Sequence, residues 1–364
     1  MKIKDITNHL ETIAPLSFQE PYDNSGLIVG SPEDEIKKAL ICLDCIEEVV
    51  DEAIGENCQL IIAHHPIVFS GIKKFNGNDY VQRTIIKAIK NNIAIYAIHT
   101  NLDNVHVGVN QKICDKLEVF NTDILFPKKN LYKKLFTFCP VKHADKVRNA
   151  LFESGAGKIG DYDNCSFNSE GKGTFRASKN TSPFVGTIDS LHHESETKIE
   201  VVFPHYLENK IVTQLLSAHP YEEVAYDIVS LENYSNNIGS GMIGELENEM
   251  EVSEFLNRIK TIMKTDSIRY TKPHKTKIKK VAVCGGSGSF LLHMAIKNNA
   301  DIFITSDFKY HQFFDANNQI IIADIGHYES EQFTIELISE LIVEKFPKFA
   351  LRFSKLNTNP INYL

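Results

Sequence analysis

The sequence predicts an α/β protein. An outer domain of two similar halves, with mostly parallel sheets, is expected to be interrupted by an inserted ferredoxin-like α+β domain. Two observations carry this. Short apolar runs alternate with helical periodicity near both ends of the chain, a pattern that builds a parallel sheet covered by helices. Between them the order becomes strand–helix–strand–strand–helix–strand with one extra strand, as in a ferredoxin-like module. A length of 364 residues suits more than one domain.

The elements follow in order. Residues 1–13 place Ile3, Ile6, Leu10 and Ile13 on one stripe, hence a helix. A loop spans 21–26. Residues 39–43 are a short apolar strand, and Ile46, Val49, Val50, Ala53 and Ile54 then recur at helical spacing. Residues 60–63 form a strand ending at His64-His65-Pro66. Ile85, Ile86 and Ile89 mark a helix over 81–89, and the strand at 93–98 ends at a stretch from His99 to Asp103. A linker at 126–130 closes the first segment, 1–126. The middle segment, 127–245, carries expected strands at 134–139, 198–203 and 224–231, helices at 144–152 and 207–217, and a hairpin pair at 163–168 and 173–177. The polar, turn-rich stretch 232–241 is the expected exit. In the last segment, 246–364, strands at 279–283, 302–305 and 320–325 alternate with helices at 291–296 and 333–346.

Composition excludes several classes. Hydrophobic residues are 43% and charged residues 24%, which suits a soluble globular chain rather than a disordered or collagen-like one. The net charge of -8 and the absence of Trp argue against nucleic-acid binding, which needs a basic face or stacking platforms. No signal peptide and no membrane span is expected. The seven cysteines are odd in number and scattered, so a reduced, cytoplasmic protein is expected. Cys42 and Cys45 form a lone CxxC with no second pair, and read as packing residues rather than zinc ligands. There is no nucleophile elbow and no Cys–His signature.

The chemistry gathers in three groups: His64 with His65, His99 with Asp103, and His327 with Glu331. Each lies just past the carboxyl end of an expected strand, where α/β sheets bind ligands. Imidazole and carboxylate suit zinc, iron, manganese, nickel or cobalt. His327 and Glu331 share a face if a helix begins near His327. His64 and His65 are adjacent, so they serve two metals if the strand continues through them, or one if it has ended. So many ligands exceed one tetrahedral ion with a free position and suit two ions sharing a carboxylate. Gly285, Gly286, Ser287 and Gly288 lie between a strand and a helix. That place suits either an anion contact or a tight turn, and the segment is neither a Walker loop nor a full GxGxxG.

Taken together, residues 22–27, 64–66, 99–103, 285–288, 305–307 and 326–331 resemble the NIF-three-like family, whose bacterial members are named GTP cyclohydrolase 1 type 2 homologues. Tyr22 stands where Trp is common in that family, and Ser306 where Gly is common. The resemblance implies a dinuclear site with His64, His65, Asp103, His327 and Glu331 as ligands, and His99 as a weak ligand or a neighbour. It implies two divalent ions per chain, zinc or iron first, with manganese, nickel or cobalt as alternatives. It implies a metal-dependent hydrolase of a nucleotide or phosphoester, with His99 or Asp307 moving the proton, and a ring-shaped homohexamer. Glu331 is expected to bridge the ions, because Glu329 lies about 200° around a helix from His327. Residues 171–176, 183–186 and 219–225 resemble PII-like and CutA-like modules, with His219 in a structural turn. That points to a small-molecule pocket or an interface. The alternative reading is a metal-containing regulatory or adaptor protein that senses a small molecule through this insert.

Overall fold

A computed structural model describes residues 1–364. The chain divides into two compact units, Met1–Pro127 with Asn236–Leu364, and Lys128–Ser235.

The larger unit holds two mixed sheets. The first has the strand order Gly26–Val29, Ala94–Ala97, Leu60–His65, Lys38–Asp44 and Ala350–Phe353. All but the antiparallel edge strand Gly26–Val29 run parallel. Successive residues of the inner strands are fully buried, Leu40 and Ile41 as well as Ile61 and Ile62. Both faces are therefore covered, which is why these strands read as continuous apolar runs. The helices Glu47–Gly55 and Tyr80–Lys90 cover one face through Val49, Val50, Ala53, Ile85 and Ala88. The strand Leu60–His65 runs past its apolar stretch, and its His65 pairs with Asp44 of the neighbouring strand.

The second sheet has the order Arg269–Tyr270, Ile321–Asp324, Ile302–Ser306, Lys277–Ser287, Gly239–Glu251 and Val119–Pro127. Three strands are parallel and the remaining three add antiparallel pairs. Several elements here have no strong sequence signal. Val119–Pro127 has a polar interior at Asn121, Thr122 and Asp123, and becomes a strand through its long antiparallel partner Gly239–Glu251. The helices Val109–Leu117 and Val252–Ile262 also lie outside the expected elements. The exit from the middle segment comes at Ser235 rather than at residue 245. Gly239 already pairs with Pro127, and a Cβ on Gly239 would lie 2.3 Å from the Phe126 carbonyl oxygen.

The smaller unit has one antiparallel sheet, ordered Phe167–Arg176, Leu191–Pro204, Tyr132–Pro140 and Tyr226–Leu231. Helices Ala144–Glu153 and Glu208–Ala218 pack on it through Val147, Leu151, Ile211 and Leu215. No extra strand is present. The expected hairpin of 163–168 with 173–177 is instead a single strand, Phe167–Arg176, whose partner is Leu191–Pro204. Gly171 and Gly173 interrupt the apolar pattern and read as a turn. Gly173 nevertheless pairs with Glu194 in the ladder, and a Cβ on it would lie 2.0 Å from a Glu196 carboxylate oxygen.

Because Pro127 and Gly239 are paired neighbours, the chain leaves the larger unit and returns to it side by side. Replacing residues 128–235 with a short Gly/Ser bridge is expected to leave a soluble protein with the metal content of the full chain. Mass spectrometric metal analysis checks this. A folded but metal-free product would refute it.

Candidate metal centre

The larger unit brings the three histidine groups to one place, at the carboxyl edges of its parallel strands. Leu60–His65 delivers His64 and His65. His99 follows the strand Ala94–Ala97 and precedes the single turn Thr100–Asp103, which sets Asp103 one turn beyond it. Gly326, with φ +96°, turns the chain after Ile321–Asp324 into the short helix His327–Glu331. Its one-turn spacing sets His327 Nε2 3.2 Å from Glu331 Oε2.

Glu331 is buried at the middle of the cluster. Its Oε2 lies 2.9 Å from His65 Nε2, while its Oε1 faces His64 Nε2 at 3.8 Å. His64 Nε2 stands 3.6 Å from Asp103 Oδ1. Adjacent histidines of one continuing strand thus flank a single carboxylate. Their ligand atoms form three overlapping sets: His64, His65 and His99; His65, His327 and Glu331; His64, Asp103 and Glu331.

Every imidazole is held by its other nitrogen. His64 Nδ1 bonds the Ile98 carbonyl at 2.8 Å. His65 Nδ1 meets Asp44 at 2.7 Å, His99 Nδ1 meets Asp23 at 2.8 Å, and His327 Nδ1 meets Asp307 at 2.7 Å. Such partners fix the ring orientation and aim Nε2 at the centre. The carboxylates are themselves braced. Thr358 donates its hydroxyl to Asp44 at 2.6 Å, and Asp23 accepts from the Thr100 amide at 3.0 Å and from the Thr100 hydroxyl. Asp307, expected as a proton carrier, is placed behind His327. Asp23 and Asp44 were not singled out from the sequence, although Asp23 sits within the 22–27 motif and Asp44 ends a strand between two cysteines. Cys42 and Cys45 are buried.

Two buried polar atoms have no hydrogen-bond partner here, His64 Nε2 and Asp103 Oδ1. Leaving a ring nitrogen and a carboxylate oxygen unpaired in a dry interior is costly. A cation between them satisfies both, and nitrogen with oxygen donors suits a divalent transition metal. The residues present therefore fit a metal ion.

The electrostatics point the same way. Burial opposes charge on His65, but hydrogen bonds to Asp44 and Glu331 outweigh it and lift its pKa to about 10. Burial likewise opposes charge on His327, and Glu331 and Asp307 raise it to about 11. Burial and the nearby Glu331 push Asp103 up to about 6. Burial resists the charge on Glu331, yet the surrounding imidazoles hold it well below the ordinary carboxylate range. Without a metal, protons thus take the place of cations.

Of the glycine segment, Gly285, Gly286 and Ser287 end the strand Lys277–Ser287, and Gly288 leads into the turn Ser289–Leu291. Gly285 donates its N–H to Asn110 Oδ1 at 2.9 Å, and Gly286 donates to Ser330 Oγ at 2.9 Å. Those two amides are therefore committed within the fold rather than open to an anion. Gly286 has φ +60°, and a Cβ there would sit 2.4 Å from Glu331 Oε1 and 3.2 Å from His327 Nε2. In the smaller unit, His219 Nε2 donates to the Phe138 carbonyl at 3.0 Å while Nδ1 accepts from the Tyr221 amide at 3.1 Å. Both ring nitrogens are used, so His219 braces a turn.

Two outcomes are expected. Gly286→Ala should displace Glu331 and lower bound metal several-fold while the fold persists, as read by metal analysis beside circular dichroism. Wild-type metal content in that variant would refute the close-approach role. Metal must also displace the protons on His65 and His327. Apparent affinity should therefore rise by up to about a hundredfold per pH unit between about pH 6 and 8, two protons being released per loaded chain. Competition with a chromophoric chelator measures this, and a flat profile would contradict it.

A sequence profile described as Duf34/NIF3 (NGG1p interacting factor 3) matches residues 1–360. A Bacillus subtilis (strain 168) relative named GTP cyclohydrolase 1 type 2 homolog is 36% identical over 367 aligned residues, covering 99% of this chain and 98% of its own. A Halalkalibacterium halodurans relative of the same name is 37% identical over 360 residues, covering 97% and 96%. The crystal structure of a Bacillus cereus protein related to NIF3 superposes with a TM-score of 0.83 at 35% identity, covering 100% of this chain and 99% of the other. A Staphylococcus aureus structure gives a TM-score of 0.80 at 30% identity, with the same coverage. With its metal-fitting cluster and these whole-length matches, the chain belongs to the Duf34/NIF3 family.

Proposed function

We propose that the protein is a metal-dependent hydrolase whose centre takes two divalent ions bridged by Glu331. The observation that carries this is the two-sided setting of one carboxylate. Oε2 faces His65 and His327, and Oε1 faces His64, which in turn neighbours Asp103. When bound, divalent ions lower the pKa of water and polarise the bond to be broken. Zinc or iron suits the donors first, with manganese, nickel or cobalt as alternatives. His99, oriented by Asp23, stands at the edge of the centre to hold or pass a proton, or to add a ligand. Asp307 keeps His327 Nε2 turned inward. The name of the relatives points to a guanine nucleotide, and nucleotides and phosphoesters are the first compounds to screen. A fold shared with them does not by itself set the substrate.

Residues 26–97 give one sheet three parallel strands and an antiparallel edge strand, residues 269–324 give the other sheet the same set, and we take these as two similar halves whose ligands converge. We also propose a ring-shaped homohexamer in a reducing cytoplasm, the latter suited to seven free cysteines. Light scattering tests the assembly, and a mass near 41.2 kDa would overturn it. The second reading is a regulatory or adaptor protein. It draws on a separate cavity of 630 Å³ in the smaller unit, lined by Phe175, Phe184 and Tyr221, which suits a small-molecule sensor. Turnover of a nucleotide and phosphoester panel, lost in ligand variants, separates the two.

Glu329 offers the internal control for the bridge. It is buried, but its Oε1 accepts from Asn359 Nδ2 at 2.9 Å and takes no part in the cluster. Glu331→Gln is expected to lower metal content below one ion per chain, since both positions lose a shared ligand. Glu329→Gln should keep wild-type content. Mass spectrometry on the three proteins decides it, and the reverse pattern would sink the bridge.

A further inference from the structure

The two helices of the smaller unit pack on one face of its sheet. Paired strand residues point the same way, so Leu135, Cys139, Ile199 and Val201 turn toward the helices. Phe138, Glu196 and Lys198 turn the other way, beside Gly171, Gly173 and Phe175 of the edge strand. On that second face lies the cavity of 630 Å³, which Phe184 and Tyr221 also line. Ser182 donates its N–H to Glu222 Oε1 at 2.9 Å, which ties two lining segments together, 181–184 and 221–225. A concave, largely apolar space of this size suits a small molecule.

Aromatic rings and one carboxylate meet in this cavity. The Tyr221 ring centroid lies 6.1 Å from that of Phe175 and 6.3 Å from that of Phe184. Tyr221 donates its hydroxyl to Glu196 Oε1 at 2.9 Å. Burial and the Glu196 carboxylate raise the Tyr221 pKa, so the phenol stays a donor. Oε2 of the same carboxylate has no donor in the protein. It stands over Gly173, where there is no side chain, and a Cβ on Gly171 would meet only open space. No basic side chain answers this oxygen. Lys198 Nζ is held by Glu200 at 2.7 Å and lies 4.5 Å over the Phe136 ring. Lys172 and Arg176 border the cavity from the edge strand, but alternation points their side chains to the opposite face. Glu222 and Glu223 add negative charge to the lining.

We propose that this cavity binds an organic ammonium: a small amine, protonated at neutral pH, that carries a flat apolar body. The ammonium donates to Glu196 Oε2. The faces of Tyr221 and Phe175 attract its charge through their π-electrons. Phe138 and Phe184 cover the apolar body. An alcohol of the same shape lacks the charge, and an acid meets the carboxylates. The proposal deepens the second reading above, on which its role as a sensed signal rests, and is independent of the metal centre.

Three probes of similar shape and different charge test this: 2-phenylethylamine, 2-phenylethanol and 3-phenylpropanoate, titrated by calorimetry into the full-length protein at neutral pH. The amine should bind about tenfold tighter than the alcohol and the acid weakest, with gaps that narrow as salt rises. Glu196→Gln and Phe175→Ala should each weaken the amine by about tenfold while circular dichroism stays unchanged. A measurement on the wild-type protein needs no variant to fold: the amine should slow amide hydrogen exchange within 169–176 and 219–225. Equal binding of amine and alcohol would overturn the proposal. So would tighter binding of the acid, no amine binding at millimolar concentration, folded variants that bind like wild type, or protection confined to the larger unit. The sensor reading fails separately, when the nucleotide and phosphoester panel is turned over and that turnover is lost in metal-ligand variants. The titrations are unaffected by that result.

Discussion

The structure of this centre depends on keeping one carboxylate ionised in a buried place. Glu331 is almost without solvent contact, and burial alone would drive it neutral. It stays charged because His64, His65 and His327 surround it. Those rings arrive from two different sheets, so both sheets must present their carboxyl edges to the same point. Gly286 must lack a side chain for the carboxylate to fit, and Gly326 must turn the chain so that the helix His327–Glu331 begins where it does. Cation binding extends the same logic, since it supplies fixed positive charge where protons otherwise stand.

A second layer makes the arrangement rigid. Three of the four imidazoles rest on carboxylates and the fourth on a backbone carbonyl. The chain's last residues take part as well, because Thr358 braces Asp44 and Asn359 holds Glu329 away from the cluster. Segments from residue 23 to residue 359 therefore act on one small volume. A substitution remote in sequence can disturb metal binding by turning a ring rather than by removing a ligand.

The layered carboxylates also give the centre its character. They orient the imidazoles that face Glu331.

Much of this was legible in the residue pattern. Continuous apolar runs mark doubly covered strands, and polar residues just past those runs, His64, His65, His99, Asp103, His327 and Glu331, mark the edge where ligands gather. Both signals are local, set by burial along a few residues. Other features have no local signature. Val119–Pro127 is too polar to announce itself and becomes a strand only by pairing with Gly239–Glu251. Phe167–Arg176 looks broken by glycines and becomes one strand only by pairing along its length with Leu191–Pro204. Asp23 and Asp44 carry no local mark of their role, and Asp307 reads as a proton carrier rather than as the group behind His327, because these partnerships with imidazoles exist only across folded distance. By itself the sequence determined which side chains could do chemistry and which segments would be buried. The tertiary structure decided which oxygen of Glu331 faces which histidine, because that depends on how two sheets meet, and no short stretch of chain encodes it.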